Sequence, residues 1–168
     1  KNTDLLLSKG CKIIVVACNT ATTNAIKELR ASYNVPFIGI EPAIKPAVFH
    51  SKTQKIGILA TKGTLNSDLF HEAVQLYKHT QIIEQIGYRL VDLIENGQID
   101  TPEMEQLLVQ YLTPMVEKDI DYLVLGCSHY PYLIDKIKKI IPEKIQIIDS
   151  GEAVAKQTHR ILLKNEML

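Results

Sequence analysis

The stretch Ile13-Ile14-Val15-Val16-Ala17-Cys18-Asn19-Thr20-Ala21-Thr22 constrains the chain more than any other. Its β-branched residues run without a polar interruption, the pattern of a central strand buried on both faces. The run stops at a small residue, a cysteine and a cluster of capping residues. Beyond it, Ala21, Ala25, Ile26 and Leu29 recur at helical spacing, with Asn19 or Thr20 as the expected cap. Cys18 therefore falls at the carboxyl end of a strand and faces a helix N-terminus. Ligands of open α/β sheets bind at that end.

The same alternation runs through the rest of the chain. Strands are predicted at about 12–17, 37–40, 55–60, 80–85, 121–126 and 145–148. Helices are predicted at 2–9, from 19 or 20 to about 33, over the segment that Glu41-Pro42 opens, and at 65–77, 90–95, 101–117, 133–141 and 149–163. In the first helix Leu5, Leu6 and Leu7 are read as inward-facing, with Gly10 as a left-handed cap. Thr101-Pro102-Glu103 supplies a capping hydroxyl, a proline at the first helical position and an acid in the first turn. Strands alternating with helices give an α/β fold with mainly parallel pairing and right-handed crossovers.

Composition narrows the partners. Lys plus Arg and Asp plus Glu both number 19, so no net field draws the chain to nucleic acid or an anionic membrane. The lysines from Lys136 to Lys144 read as one solvated helix face. No apolar run reaches the length of a membrane span, and no signal peptide is visible. Three cysteines without framework spacing point to free thiols in a reducing, cytoplasmic compartment. His50, His71, His79 and His159 lack metal-ligand spacing and are expected at the surface, and Cys11 is expected to pack as a small hydrophobe. The chain starts at Lys1 in what reads as the middle of a helix, so a preceding segment is expected.

One layout occurs twice. Ile13 to Thr20 and Tyr122 to His129 each comprise four apolar residues, a small residue, a cysteine and two small or hydrogen-bonding polar residues. Two such half-structures facing each other would bring Cys18 and Cys127 to one cleft. There a thiolate can take a proton from carbon while a thiol returns one from the opposite face. That chemistry inverts a stereocentre. A helix N-terminus after each cysteine favours the thiolate, whereas desolvation opposes it.

These motifs resemble a known family. Val16-Ala17-Cys18-Asn19-Thr20-Ala21 and Leu125-Gly126-Cys127-Ser128-His129-Tyr130-Pro131 are similar to the two signatures of bacterial glutamate racemases, in the aspartate/glutamate racemase superfamily. Ile40-Glu41-Pro42, Ala60-Thr61-Lys62-Gly63-Thr64, the acidic segment Leu90 to Glu95 and Ile147-Ile148-Asp149-Ser150 resemble further family segments in the same order. The resemblance implies two similar Rossmann-like domains with mainly parallel sheets facing a central cleft. It also implies interconversion of L- and D-glutamate without a cofactor or metal, supplying D-glutamate for peptidoglycan, often in a homodimer. On matching positions, Cys18 is the base toward D-glutamate and Cys127 the base toward L-glutamate, with His129 assisting Cys127. Asn19, Thr20, Thr61, Thr64 and Ser128 hold the substrate, and Glu95 takes an electrostatic role. Aspartate or hydantoin racemisation, or ligand binding without turnover, are the alternatives.

The sequence departs from the family in three places. The family's Asp-Ser-Gly and Pro-Tyr-Gly motifs, which precede the first cysteine, are absent. The family's C-terminal helices are absent too, and Ser128 stands where a threonine is usual. The family pattern assigns residues 1–42 and 146–168 to the first domain, incomplete here, and 43–145 to the second.

Overall fold

The computed structural model describes residues 1–168, and every strand pairing in it is parallel. In chain order the elements are α1 (Asn2–Ser8), β1 (Ile14–Val16), α2 (Asn19–Ser32), β2 (Phe37–Gly39), α3 (Ile44–His50), β3 (Lys55–Ala60), α4 (Lys62–Leu65) and α5 (Asp68–Gln75). They continue with β4 (Gln81–Ile86), α6 (Leu90–Glu95), α7 (Pro102–Glu117), β5 (Tyr122–Gly126), a 3-10 turn (Tyr130–Leu133), α8 (Ile134–Ile140), β6 (Gln146–Ile148) and α9 (Gly151–Lys164). The predicted α/β architecture is the observed one.

The strands form two sheets. β1 and β2 make a two-stranded sheet, and the other four lie in the order β4-β3-β5-β6. The larger sheet is covered on both faces because side chains alternate along its inner strands. On β5, Leu123 and Leu125 join the cluster with α6, α7 and α8, while Val124 joins the opposite cluster with α3, α4 and α5. The smaller lobe is thin: its core is Ile14, Ile26 and Phe37, with Leu7, Val16 and Leu29 packed around them.

That thin core accounts for two departures from expectation. β1 pairs only with β2, and Val15 is 41% exposed, so this strand is not buried on both faces. On α1 only Leu7 packs inward, whereas Leu5 and Leu6 are exposed. Gly10 does take the predicted left-handed backbone, with φ at +81°.

Three further boundaries differ for local reasons. The helix expected over 65–77 is confined to α5, which Ser67 caps through Phe70 N–H, and residues 62–65 before it form the separate α4, capped by Thr61 through Thr64 N–H. Cys18 itself, not Asn19 or Thr20, is the N-cap of α2: its backbone is extended and its sulfur accepts from Ala21 N–H at 3.5 Å. Strand β6, grouped by the sequence reading with the first domain, is hydrogen-bonded to β5 in the larger sheet. Only α9 reaches back to pack against β2. The chain thus passes between lobes after β2 and again after β6, and the Ser150 hydroxyl donates to the Glu41 carbonyl where the two passages meet.

Candidate active site

Both cysteines of the repeated layout sit just past the carboxyl end of a parallel strand, Cys18 after β1 and Cys127 after β5. Thr22 fixes the first of these ends. Its hydroxyl donates to the Val16 carbonyl at 3.0 Å and accepts from Ile40 N–H at 3.1 Å, joining the ends of β1 and β2 beneath Cys18. Tyr130 fixes the second. It is fully buried, and its hydroxyl donates to the Gly87 carbonyl at 3.2 Å, tying the turn after Cys127 to the approach to α6. Sequence reasoning missed both residues, although a threonine within one turn of a helix cap and a tyrosine inside an apolar turn are signals that each invites.

The two thiols differ in environment. Cys18 is exposed, whereas Cys127 is 7% exposed. Burial pushes the Cys127 thiol above its usual range; the backbone N–H groups of His129 and Tyr130 work against the rise, and a thiolate at Cys18 adds to it. The two cysteines follow strands of different sheets, Cys18 after β1 and Cys127 after β5. His129 Nδ1 lies 3.8 Å from the Cys127 sulfur, and its Nε2 pairs with a Glu95 carboxylate oxygen. With Nε2–H donated to Glu95, Nδ1 is left as the acceptor for a thiol proton. The Cys127, His129 and Glu95 groupings made from sequence are therefore adjacent in space.

A second cluster joins the lobes. The Thr20 hydroxyl lies 2.7 Å from that of Thr61 and 3.1 Å from that of Thr64, and Thr61 and Thr64 are 3.0 Å apart. The three hydroxyls satisfy one another, each able to donate and accept, and Thr64 among them is fully buried. Asn19 is buried, and its Nδ2 has no hydrogen-bond partner, a donor poised beside Cys18. Ser128 lies in the turn between Cys127 and His129, half-buried. No group of three or more His, Cys, Asp or Glu side chains converges with the geometry to hold a metal ion. The larger surface hollows lie away from these residues, one of them beneath β6 and lined by Ile134, Ile141 and Ile145.

The structure is thus a two-lobed parallel α/β protein with a thiol just past the end of a strand in each of its two sheets. The chain belongs to the Asp/Glu/Hydantoin racemase family, whose model matches residues 3–158. It is 44% identical over 163 residues to a glutamate racemase of Cupriavidus pinatubonensis, covering 96% of this chain and 60% of that one. The fold of a glutamate racemase from Bacillus anthracis superposes with a TM-score of 0.86 at 34% identity, over 99% of this chain and 64% of that one. An Escherichia coli glutamate racemase, solved with L-glutamate and an activator, gives 0.84 at 32% identity, over 96% of this chain and 62% of that one. The chain thus spans about three fifths of the length of the relatives it matches. No helix is long and apolar enough to cross a membrane.

Proposed function

We propose that the protein is a cofactor-independent glutamate racemase of the cytoplasm, working as a homodimer and supplying D-glutamate for peptidoglycan. The observation that carries this reading is a matched pair of thiols, Cys18 and Cys127, each just past the carboxyl end of a parallel strand in a different sheet, with the Thr20, Thr61 and Thr64 hydroxyls joining the two lobes. Identity to glutamate racemases from several bacteria supports the choice of substrate.

In one direction the Cys18 thiolate removes the α-proton of D-glutamate, and the Cys127 thiol delivers its own proton to the opposite face of the resulting carbanion. The product is L-glutamate, with Cys18 now the thiol and Cys127 the thiolate. In the other direction the roles exchange. His129 takes up or returns the proton of Cys127 through Nδ1, and Glu95 fixes the imidazole through Nε2. Asn19, Thr20, Thr61, Thr64 and Ser128 hold the amino and carboxylate groups. Approach of the lobes around the substrate excludes water from the carbanion.

The test is racemisation of each glutamate enantiomer in deuterated water by the full-length protein, by Cys18→Ala and by Cys127→Ala, with aspartate run in parallel. Two-base chemistry predicts solvent deuterium at the product α-carbon and loss of racemisation in both variants. Undiminished racemisation by either variant would overturn the mechanism, and turnover of aspartate in place of glutamate would overturn the substrate.

A further inference from the structure

Helix α2 touches the larger lobe along a single stripe. Thr20, Asn24 and Lys27 lie one turn apart on the same helical face, and each is bonded to α4 or α5. Lys27 pairs with Glu72 at 2.8 Å, but both are more than half exposed, and such a pair changes an equilibrium by at most about fivefold. Asn24 is placed differently. Its Nδ2 donates to the Thr20 carbonyl at 2.8 Å and to the Gly63 carbonyl at 3.0 Å, with Thr23 Oγ1 a longer third partner at 3.4 Å. One amide thus spans the two segments that carry Thr20 on one lobe and Thr61 and Thr64 on the other. The approach it spans is close: a Cβ on Gly63 would stand 2.6 Å from Thr20 Cγ2, so a side chain there would have to displace Thr20.

We propose that Asn24 is a positioning residue, which sets the distance between the lobes at the threonine cluster and so the geometry in which the substrate's carboxylates are held. The inference rests on the racemase reading for its substrate, but the clasp itself is a property of the fold. Asn24 does not meet the substrate. It acts through Thr20 on one side and the Gly63 backbone on the other, and loosening it weakens binding more than it slows proton transfer.

The decisive variant is Asn24→Asp in the full-length protein. It keeps the size of the side chain and turns the shared donor into an acceptor facing two carbonyls. Asn24 is exposed, so folding is retained. Two readouts are taken together: hydrogen exchange of the α4 amides, and kcat and KM for glutamate. The expected result is faster exchange at Thr64 and Leu65, with KM raised about tenfold, the equivalent of one to two lost hydrogen bonds, and kcat changed less than threefold. Gly63→Ala, which forces the same segments apart by a methyl clash, is expected to raise KM likewise. Unchanged exchange overturns the clasp, and faster exchange with an unchanged KM overturns the positioning role. If the unsubstituted protein does not racemise glutamate, the racemase reading falls, while the exchange data still judge the clasp.

Discussion

Replacing Thr22 by valine removes one hydroxyl and almost no volume, so it isolates what that oxygen contributes. Thr22 is fully buried, and two backbone groups depend on it: the Val16 carbonyl, which accepts its proton, and the Ile40 N–H, which donates to it. Valine leaves both desolvated and unpaired. Each lost bond is worth about 1 kcal/mol, and leaving its partner buried raises the cost, so Thr22→Val is expected to destabilise the protein by about 2–4 kcal/mol. Thr22→Ser keeps both bonds and loses one buried methyl, for about 1 kcal/mol. Gly39, opposite, cannot compensate with a side chain of its own, because a Cβ there would lie 2.5 Å from Thr22 Cγ2. Urea unfolding of the three proteins measures the order directly. If valine proves no more damaging than serine, the two hydrogen bonds of the hydroxyl do not outweigh one buried methyl, and the account of how the β1 end is held beneath Cys18 is refuted.

Other outcomes follow from single groups. Iodoacetamide at neutral pH is expected to modify Cys18 well before Cys127, as mass spectrometry of the digested protein would show. Because burial holds the Cys127 thiol above its usual range, its stabilising contribution is complete below the unfolded thiol value of about 8.5 and is lost as pH rises through the folded one. Unfolding midpoints of the parent and Cys127→Ser should therefore converge on the alkaline side. Burial acts to raise Asp121, but donation from the Ser51 hydroxyl and the Lys52 and Thr53 N–H groups outweighs it and holds the carboxyl low. Its contribution is present above the unfolded value of about 3.9 and disappears as pH falls through the folded one, so Asp121→Ala should flatten the acid limb of the stability profile. Tyr130→Phe leaves the Gly87 carbonyl unpaired and is expected to cost about 1–2 kcal/mol in thermal unfolding, with no change in the far-ultraviolet spectrum.

The strands were legible because each buried run is short, apolar and ended by turn residues, and all lie within a residue or two of expectation. The Cys127–His129 pairing was legible for the same reason: two positions apart on one turn, they have little freedom to separate. Other features needed long-range contacts. The split between α4 and α5 turns on Ser67, whose capping preference is weak beside the helical pattern running through it. The exposure of Val15 follows from a strand with one neighbour, which no local pattern encodes. The choice of Cys18 as cap places a sulfur where an oxygen is the usual acceptor, so propensity pointed to its neighbours. Asn24 and Gly63 are ordinary residues until the two lobes are brought together.

The two chain passages between the lobes, joined where Ser150 meets Glu41, have a mechanical consequence. A lone tether would let one lobe swivel about the tether's own axis and carry the two sulfurs out of line. Two tethers side by side define an axis, as two pins do for a door, and leave the lobes essentially one degree of freedom. Any relative motion of the lobes is then confined to rotation about that axis, and the strand ends that carry Cys18 and Cys127 keep their mutual register.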